Sequence, residues 1–162
     1  MTGEPIEAVV FDWDGTLMDS KQALLAAYHE ATTDLLGAPF PTEPEDIDRI
    51  IQLRAAEAFP IITKGDPELT ERFAERFHQA YKVQQERTAP FDGTLETLRE
   101  LKALGVKLGV ATSKARIRME LEGTRTGITA LMDATITGDD VEKAKPDPEP
   151  VAKAIEALGV AA

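Results

Sequence analysis

The chain has 162 residues and no cysteine, a length that suits one domain or one core with an insertion. The absence of thiols excludes disulfide staples, thiolate metal sites and a cysteine nucleophile, and it fits a reducing compartment, so a cytoplasmic location is expected. The net charge of −11 disfavours nucleic acid and anionic lipid as partners. No apolar run approaches the ~18 residues of a membrane span, and the N-terminal residues carry neither the basic nor the long apolar segment of a secretory signal.

Taken in chain order, Ile6–Phe11 is apolar and rich in β-branched residues, the composition of a strand buried in a parallel sheet. It runs into Asp12-Trp13-Asp14-Gly15-Thr16. Two acids two positions apart on a continuing strand face the same way, and Gly15 permits a sharp exit. Ligands of open α/β sheets bind outside the carboxyl ends of strands. A bare Asp-Gly turn does not account for the paired acids. Trp13 is open to two readings, lining a pocket or packing.

Residues 18–91 read as helical. Ser20–Leu36, Pro44–Phe59 and Pro67–Arg87 are the expected helices, with Pro39, Pro41, Pro44, Pro60 and Pro67 marking breaks. Tyr28, His29, Arg54, His78 and Tyr81 read as packing or surface residues before substrate contacts. Pro90–Gly93 leads into a helix with Leu95, Leu98, Leu101 and Leu104 on one stripe, Thr94 as its expected N-cap and Gly105 as its stop. A second strand, Val106–Thr112, is followed by Ser113 and Lys114. Lys114, Arg116 and Arg118 fit either a solvated helix face or an attraction for an anionic ligand. Ala134–Thr137 is a third, weaker strand, and Asp139 and Asp140 read as solvated acids of a turn. Pro148-Glu149-Pro150 opens a last helix with Val151, Ile155 and Leu158 on its stripe and Gly159 at its end. Strands alternating with helices predict an α/β fold with a doubly wound, Rossmann-like parallel sheet. The expected division is a core of residues 1–17 and 92–162 with an inserted α-helical cap of residues 18–91.

Three strings carry a resemblance. Val9-Val10-Phe11-Asp12-Trp13-Asp14-Gly15-Thr16-Leu17, then Gly109-Val110-Ala111-Thr112-Ser113-Lys114, then Ala144-Lys145-Pro146-Asp147-Pro148 resemble, in order, the first three motifs of the haloacid-dehalogenase-like hydrolase superfamily. Ala144 departs from the glycine usual before that lysine. The helical insertion falls where the family's helical-cap subgroup places it, and the overall look is phosphoglycolate-phosphatase-like. The resemblance implies a phosphate-monoester hydrolase acting on a small phosphorylated metabolite. Asp12 would be the nucleophile that forms an aspartyl-phosphate and Asp14 the general acid and base. Thr112, Ser113 and Lys145 would bind the phosphoryl group. Asp12 and Asp14 would hold Mg²⁺, which the crowding of two acids and a phosphate dianion calls for. Like charges 4 Å apart cost about 4 kcal/mol per pair at an effective dielectric near 20. Alternatives are a sugar phosphomutase of the same family, a non-catalytic interaction module and a phospho-acceptor receiver domain. The order of Asp-x-Asp-Gly-Thr and the long insertion argue against the last.

The family's fourth motif, an acidic pair on a further strand, does not follow Lys145. Asp139 and Asp140 precede that lysine and are not accepted as its substitute. The expectation is therefore a truncated core with an exposed apolar strand edge, open to self-association. Weak Mg²⁺ affinity and little turnover are expected with it.

Overall fold

The computed structural model describes residues 5–161. Contacts divide the chain into two compact units. One runs to Asp19 and resumes at Ala89, and the other is Ser20–Thr88.

The first unit is built on a parallel sheet of three strands, β1 (Ala8–Phe11), β4 (Lys107–Ala111) and β5 (Ala134–Ile136), in the order β1-β4-β5. The register pairs Phe11 with Val110 and Ala111 with Ile136, so the carboxyl ends of all three strands lie side by side. The central strand has the buried run Leu108–Ala111, as a strand covered on both faces requires. A short antiparallel pair, β2 (Met18–Asp19) with β3 (Ala89–Pro90), closes the chain where it leaves and re-enters this unit. The helices are α5 (Thr94–Ala103), α6 (Arg116–Thr126) and α7 (Glu149–Leu158), with 3₁₀ turns at Thr129–Leu131 and Gly138–Asp140. The apolar core gathers Trp13, Leu17, Met18, Leu98, Leu108, Val110, Met119 and Ile128.

The second unit holds α1 (Lys21–Leu36), α2 (Pro44–Gln52), α3 (Ala55–Ile62) and α4 (Pro67–Gln85). Its core is aromatic. Tyr28, Phe59, Phe73, Phe77 and Tyr81 are all buried and in ring contact, with the Tyr28 and Phe77 centroids 4.5 Å apart. Burial pushes the Tyr28 hydroxyl far above its ordinary range. Such rings contribute both buried area and oriented edge-to-face or stacked contacts.

Three local expectations need correction. The helix expected over Pro44–Phe59 is two helices, because Leu53 and Arg54 adopt extended backbone (ψ 153° and 151°) and the Arg54 N–H, at the start of α3, donates to Glu57 Oε2 at 3.2 Å. No proline or glycine marks that break. Pro60, expected as a break, lies inside α3. Thr94 does not cap α5. Gly93 holds the cap position with a left-handed backbone (φ 83°), and the Thr94 hydroxyl donates to the Leu17 carbonyl at 3.4 Å.

Candidate active site

β1 delivers Asp12 at its carboxyl end, and the chain then folds tightly around one carbonyl. The backbone N–H groups of Thr16, Leu17 and Met18 all donate to the Trp13 carbonyl at 3.0–3.3 Å, and Gly15 donates to Met18 O at 2.8 Å. Gly15 makes this possible with φ of 77°, a conformation costly for any residue with a Cβ. The knot holds Asp12 and Asp14 on a stiff turn rather than on a loose loop.

Asp12 is exposed, with 45% of its side-chain surface accessible. Its Oδ1 accepts two bonds at 2.8 Å, one from the Trp13 N–H and one from the Lys145 ammonium, which arrives from 133 residues away. Lys145 is itself held by its loop. Glu149, in the first turn of α7, accepts the backbone N–H groups of Glu142 and Lys143 at 3.0 and 2.8 Å. The Lys153 ammonium at 2.9 Å, followed by those two N–H groups, pulls the Glu149 carboxyl down to about 2. Asp14 is more enclosed, and its Oδ1 stands 2.9 Å from the Lys114 ammonium.

Thr112 follows β4 directly, and the sheet register sets it one position beyond the level of Asp12. Its buried hydroxyl oxygen accepts the Lys114 N–H at 3.1 Å, which leaves the hydroxyl proton for a further acceptor. Ser113 is half-buried in the same turn, its carbonyl pressed against Gly138, where a Cβ would come within 2.6 Å. The structure thus brings Asp12, Asp14, Thr112 and Lys145 to one end of the sheet, while Ser113 contributes a backbone contact.

Several residues have roles that sequence patterns did not expose. Lys114 does not lie on a solvated helix face. Only 4% of its side-chain surface is accessible, and its ammonium sits between Asp14 and both oxygens of Glu122, at 2.7 and 2.6 Å. Glu122, on α6, is fully buried and also accepts the Trp13 indole N–H at 2.6 Å. Trp13 therefore packs, fully buried, and does so through a polar handle. Asp139 is exposed in its turn, as expected, but also bonded, whereas Asp140 is half-buried and bonded. Asp139 accepts the Arg116 N–H at the start of α6, at 2.8 Å. Asp140 accepts the Thr137 N–H and hydroxyl, each at 2.7 Å, and pairs with the Arg116 guanidinium. These acids organise the loops and are spoken for.

Around the strand ends the charges are two lysines against three carboxylates, all within bonding distance of one another in the pairs named above. A phosphate dianion would add to the negative excess. Among the described residues no cluster of three or more metal-ligating side chains occurs. The hard oxygen donors that this turn could offer a cation are the Asp12 carboxylate and Asp14. That set fits Mg²⁺, which is held by one or two carboxylates and completes its shell with phosphate oxygens and water.

Comparison with known proteins identifies the family. A family model described as haloacid dehalogenase-like hydrolase matches residues 9–162. The chain belongs to that family. Within it, a protein named pyrophosphatase PpaX from Bacillus velezensis is 33% identical over 160 residues, covering 98% of this chain and 72% of the relative. A structure from Lactobacillus plantarum assigned as a phosphoglycolate phosphatase superimposes with a TM-score of 0.80 at 26% identity, covering 96% of this chain and 73% of the other. One from Thermotoga maritima assigned as a β-phosphoglucomutase gives 0.74 at 30% identity, covering 96% and 72%. This haloacid dehalogenase-like hydrolase thus spans about seven-tenths of the length of those relatives. No helix among its described residues is long and apolar enough to cross a membrane.

Proposed function

We propose that the chain hydrolyses phosphate monoesters of small metabolites through Asp12. The observation that carries this reading is the Lys145 ammonium on Asp12 Oδ1 at 2.8 Å, with Asp14 two residues on. A lysine fixed on one oxygen of an exposed carboxylate leaves Oδ2 to attack phosphorus and supplies positive charge where the phosphoryl group arrives. In the first step Asp12 Oδ2 forms a bond to phosphorus, the ester P–O bond breaks, and the leaving oxygen takes the proton held by Asp14. In the second, water gives a proton back to Asp14 and attacks phosphorus, and the Asp12–phosphorus bond breaks to release inorganic phosphate. The Thr112 hydroxyl donates to a phosphoryl oxygen, and Ser113 belongs to the same phosphate-binding turn.

Asp12 and Asp14 are the residues that would hold Mg²⁺, which when bound neutralises the charge of the transferring group. Two protein donors predict weak affinity for the free ion, raised when phosphate is present. We propose that the Ser20–Thr88 unit serves as the helical cap expected over residues 18–91 and that it selects the substrate. The phosphoglycolate-phosphatase-like structural neighbour and the pyrophosphatase relatives suggest two substrates to compare directly, phosphoglycolate and pyrophosphate.

The test is release of phosphate from p-nitrophenyl phosphate, phosphoglycolate and pyrophosphate with Mg²⁺, in the parent chain and in Asp12→Asn. Release that disappears in the variant supports the reading, and release that persists refutes it. The β-phosphoglucomutase-like neighbour favours a second reading, a sugar phosphomutase. Bisphosphate-dependent isomerisation of a hexose phosphate, with no net phosphate release, would select it.

A further inference from the structure

Glu122 is a fully buried acid on α6, 108 residues from Asp14 in sequence. Burying a carboxylate is costly unless it is paired and hydrogen-bonded. Here it is both. Its two oxygens hold the Lys114 ammonium at 2.6 and 2.7 Å, and Oε2 also accepts the Trp13 indole N–H at 2.6 Å. Lys114 in turn reaches Asp14 Oδ1 at 2.9 Å. Trp13 lies between Asp12 and Asp14 in the chain, so the network returns to the turn it supports. The helix approaches closely because residue 123 is glycine. A Cβ there would stand 3.2 Å from the Trp13 ring and 1.9 Å from the Thr129 hydroxyl oxygen.

A lysine carries a long, flexible stem, and alone it would place its charge loosely. Clamped by two carboxylate oxygens, it presents a fixed donor to Asp14. The tryptophan bond anchors the clamp from the other side. We infer that Glu122 is a positioning residue, which fixes Lys114 and Trp13 and through them sets the orientation of the Asp14 carboxylate.

This inference rests on the phosphatase reading above, in which Asp14 protonates the leaving oxygen. Its signature is dependence on the leaving group. An alkyl phosphate such as glycerol phosphate needs that proton, whereas p-nitrophenol departs readily without it. In Glu122→Gln, kcat for glycerol phosphate should fall about 10- to 100-fold, while kcat for p-nitrophenyl phosphate changes less than about threefold. Equal losses on both substrates would reveal a merely structural role and overturn the proposal, as would no loss on either. Asp12→Asn serves as the control for the reading beneath it. If hydrolysis survives in that variant, the phosphatase reading fails independently of Glu122.

A second readout needs no turnover. Trp13 is the sole tryptophan, so its indole N–H gives one resonance in a nitrogen–proton NMR spectrum. Asp14→Asn, which frees Lys114 from one partner, should move that resonance in the parent chain. In the Glu122→Gln background the resonance should start upfield and no longer respond. A resonance that ignores Asp14→Asn in the parent chain would show that the network is not continuous and overturn the proposal.

Discussion

The two units bury very different things. The Ser20–Thr88 unit closes around five aromatic rings, whereas the α/β unit places a tryptophan, a glutamate and a lysine beneath its paired acids. Apolar packing is non-directional and tolerates repacking, so it suits an interior that has only to hold shape. Buried ions add little net stability over an apolar replacement, yet they are geometrically exacting. Finding them directly under Asp14 teaches that this region is organised for orientation.

That contrast can be broken from either side. The largest effect is expected on chemistry. Asp12→Asn should reduce phosphate release by at least about 10⁴-fold, and Asp14→Asn by about 10²- to 10⁴-fold, both with thermal stability close to the parent's. A large fall in stability with either change would mean that the acids serve the fold.

In the aromatic unit the expected loss is in stability. Phe73 is fully buried, and Phe73→Ala should cost about 3–5 kcal/mol, read from denaturant unfolding. A cost below about 1 kcal/mol would deny the aromatic cluster its structural role. Gly123→Ala tests the tight seat of Trp13 and should cost about 1–3 kcal/mol, with a red shift of the tryptophan emission as the ring is displaced.

The smallest effect is the pH dependence from Glu149. Its carboxyl lies at about 2 in the folded chain against 4.5 as the ordinary value, so the folded state favours the ionised form. Its contribution is complete above about pH 4.5 and is lost as pH falls toward about 2. Glu149→Gln should flatten that part of the stability profile. The same slope in parent and variant would remove Glu149 as the clamp of the Lys145 loop.

Much of the fold was legible, because strands and stripes are local patterns. The strand ending at Phe11, Leu95, Leu98 and Leu101 of α5 and the Gly159 stop of α7 lie where sequence alone puts them, to within a few residues, whereas Leu104, expected on the same stripe, is exposed just past the end of α5. The break at Leu53 and Arg54 was not legible, since the extended backbone there has no proline or glycine to mark it. Asp12, Asp14, Thr112 and Lys145 announce themselves as short strings at strand ends. Glu122 does not. A glutamate on a charged helix reads as solvent-facing, and only a contact across 109 residues shows it bonded to Trp13. Lys114 stayed open between two readings, because one of its partners, Asp14, comes from a distant segment.

The central claim is that phosphorus passes through the Asp12 carboxylate. The most direct measurement is rapid quenching during turnover of p-nitrophenyl phosphate with Mg²⁺, followed by borohydride reduction and peptide mass spectrometry. An aspartyl-phosphate at position 12 is reduced to homoserine, and that conversion at Asp12 alone is the expected result. Phosphate release with no conversion at Asp12, or with conversion at another carboxylate, would contradict the account.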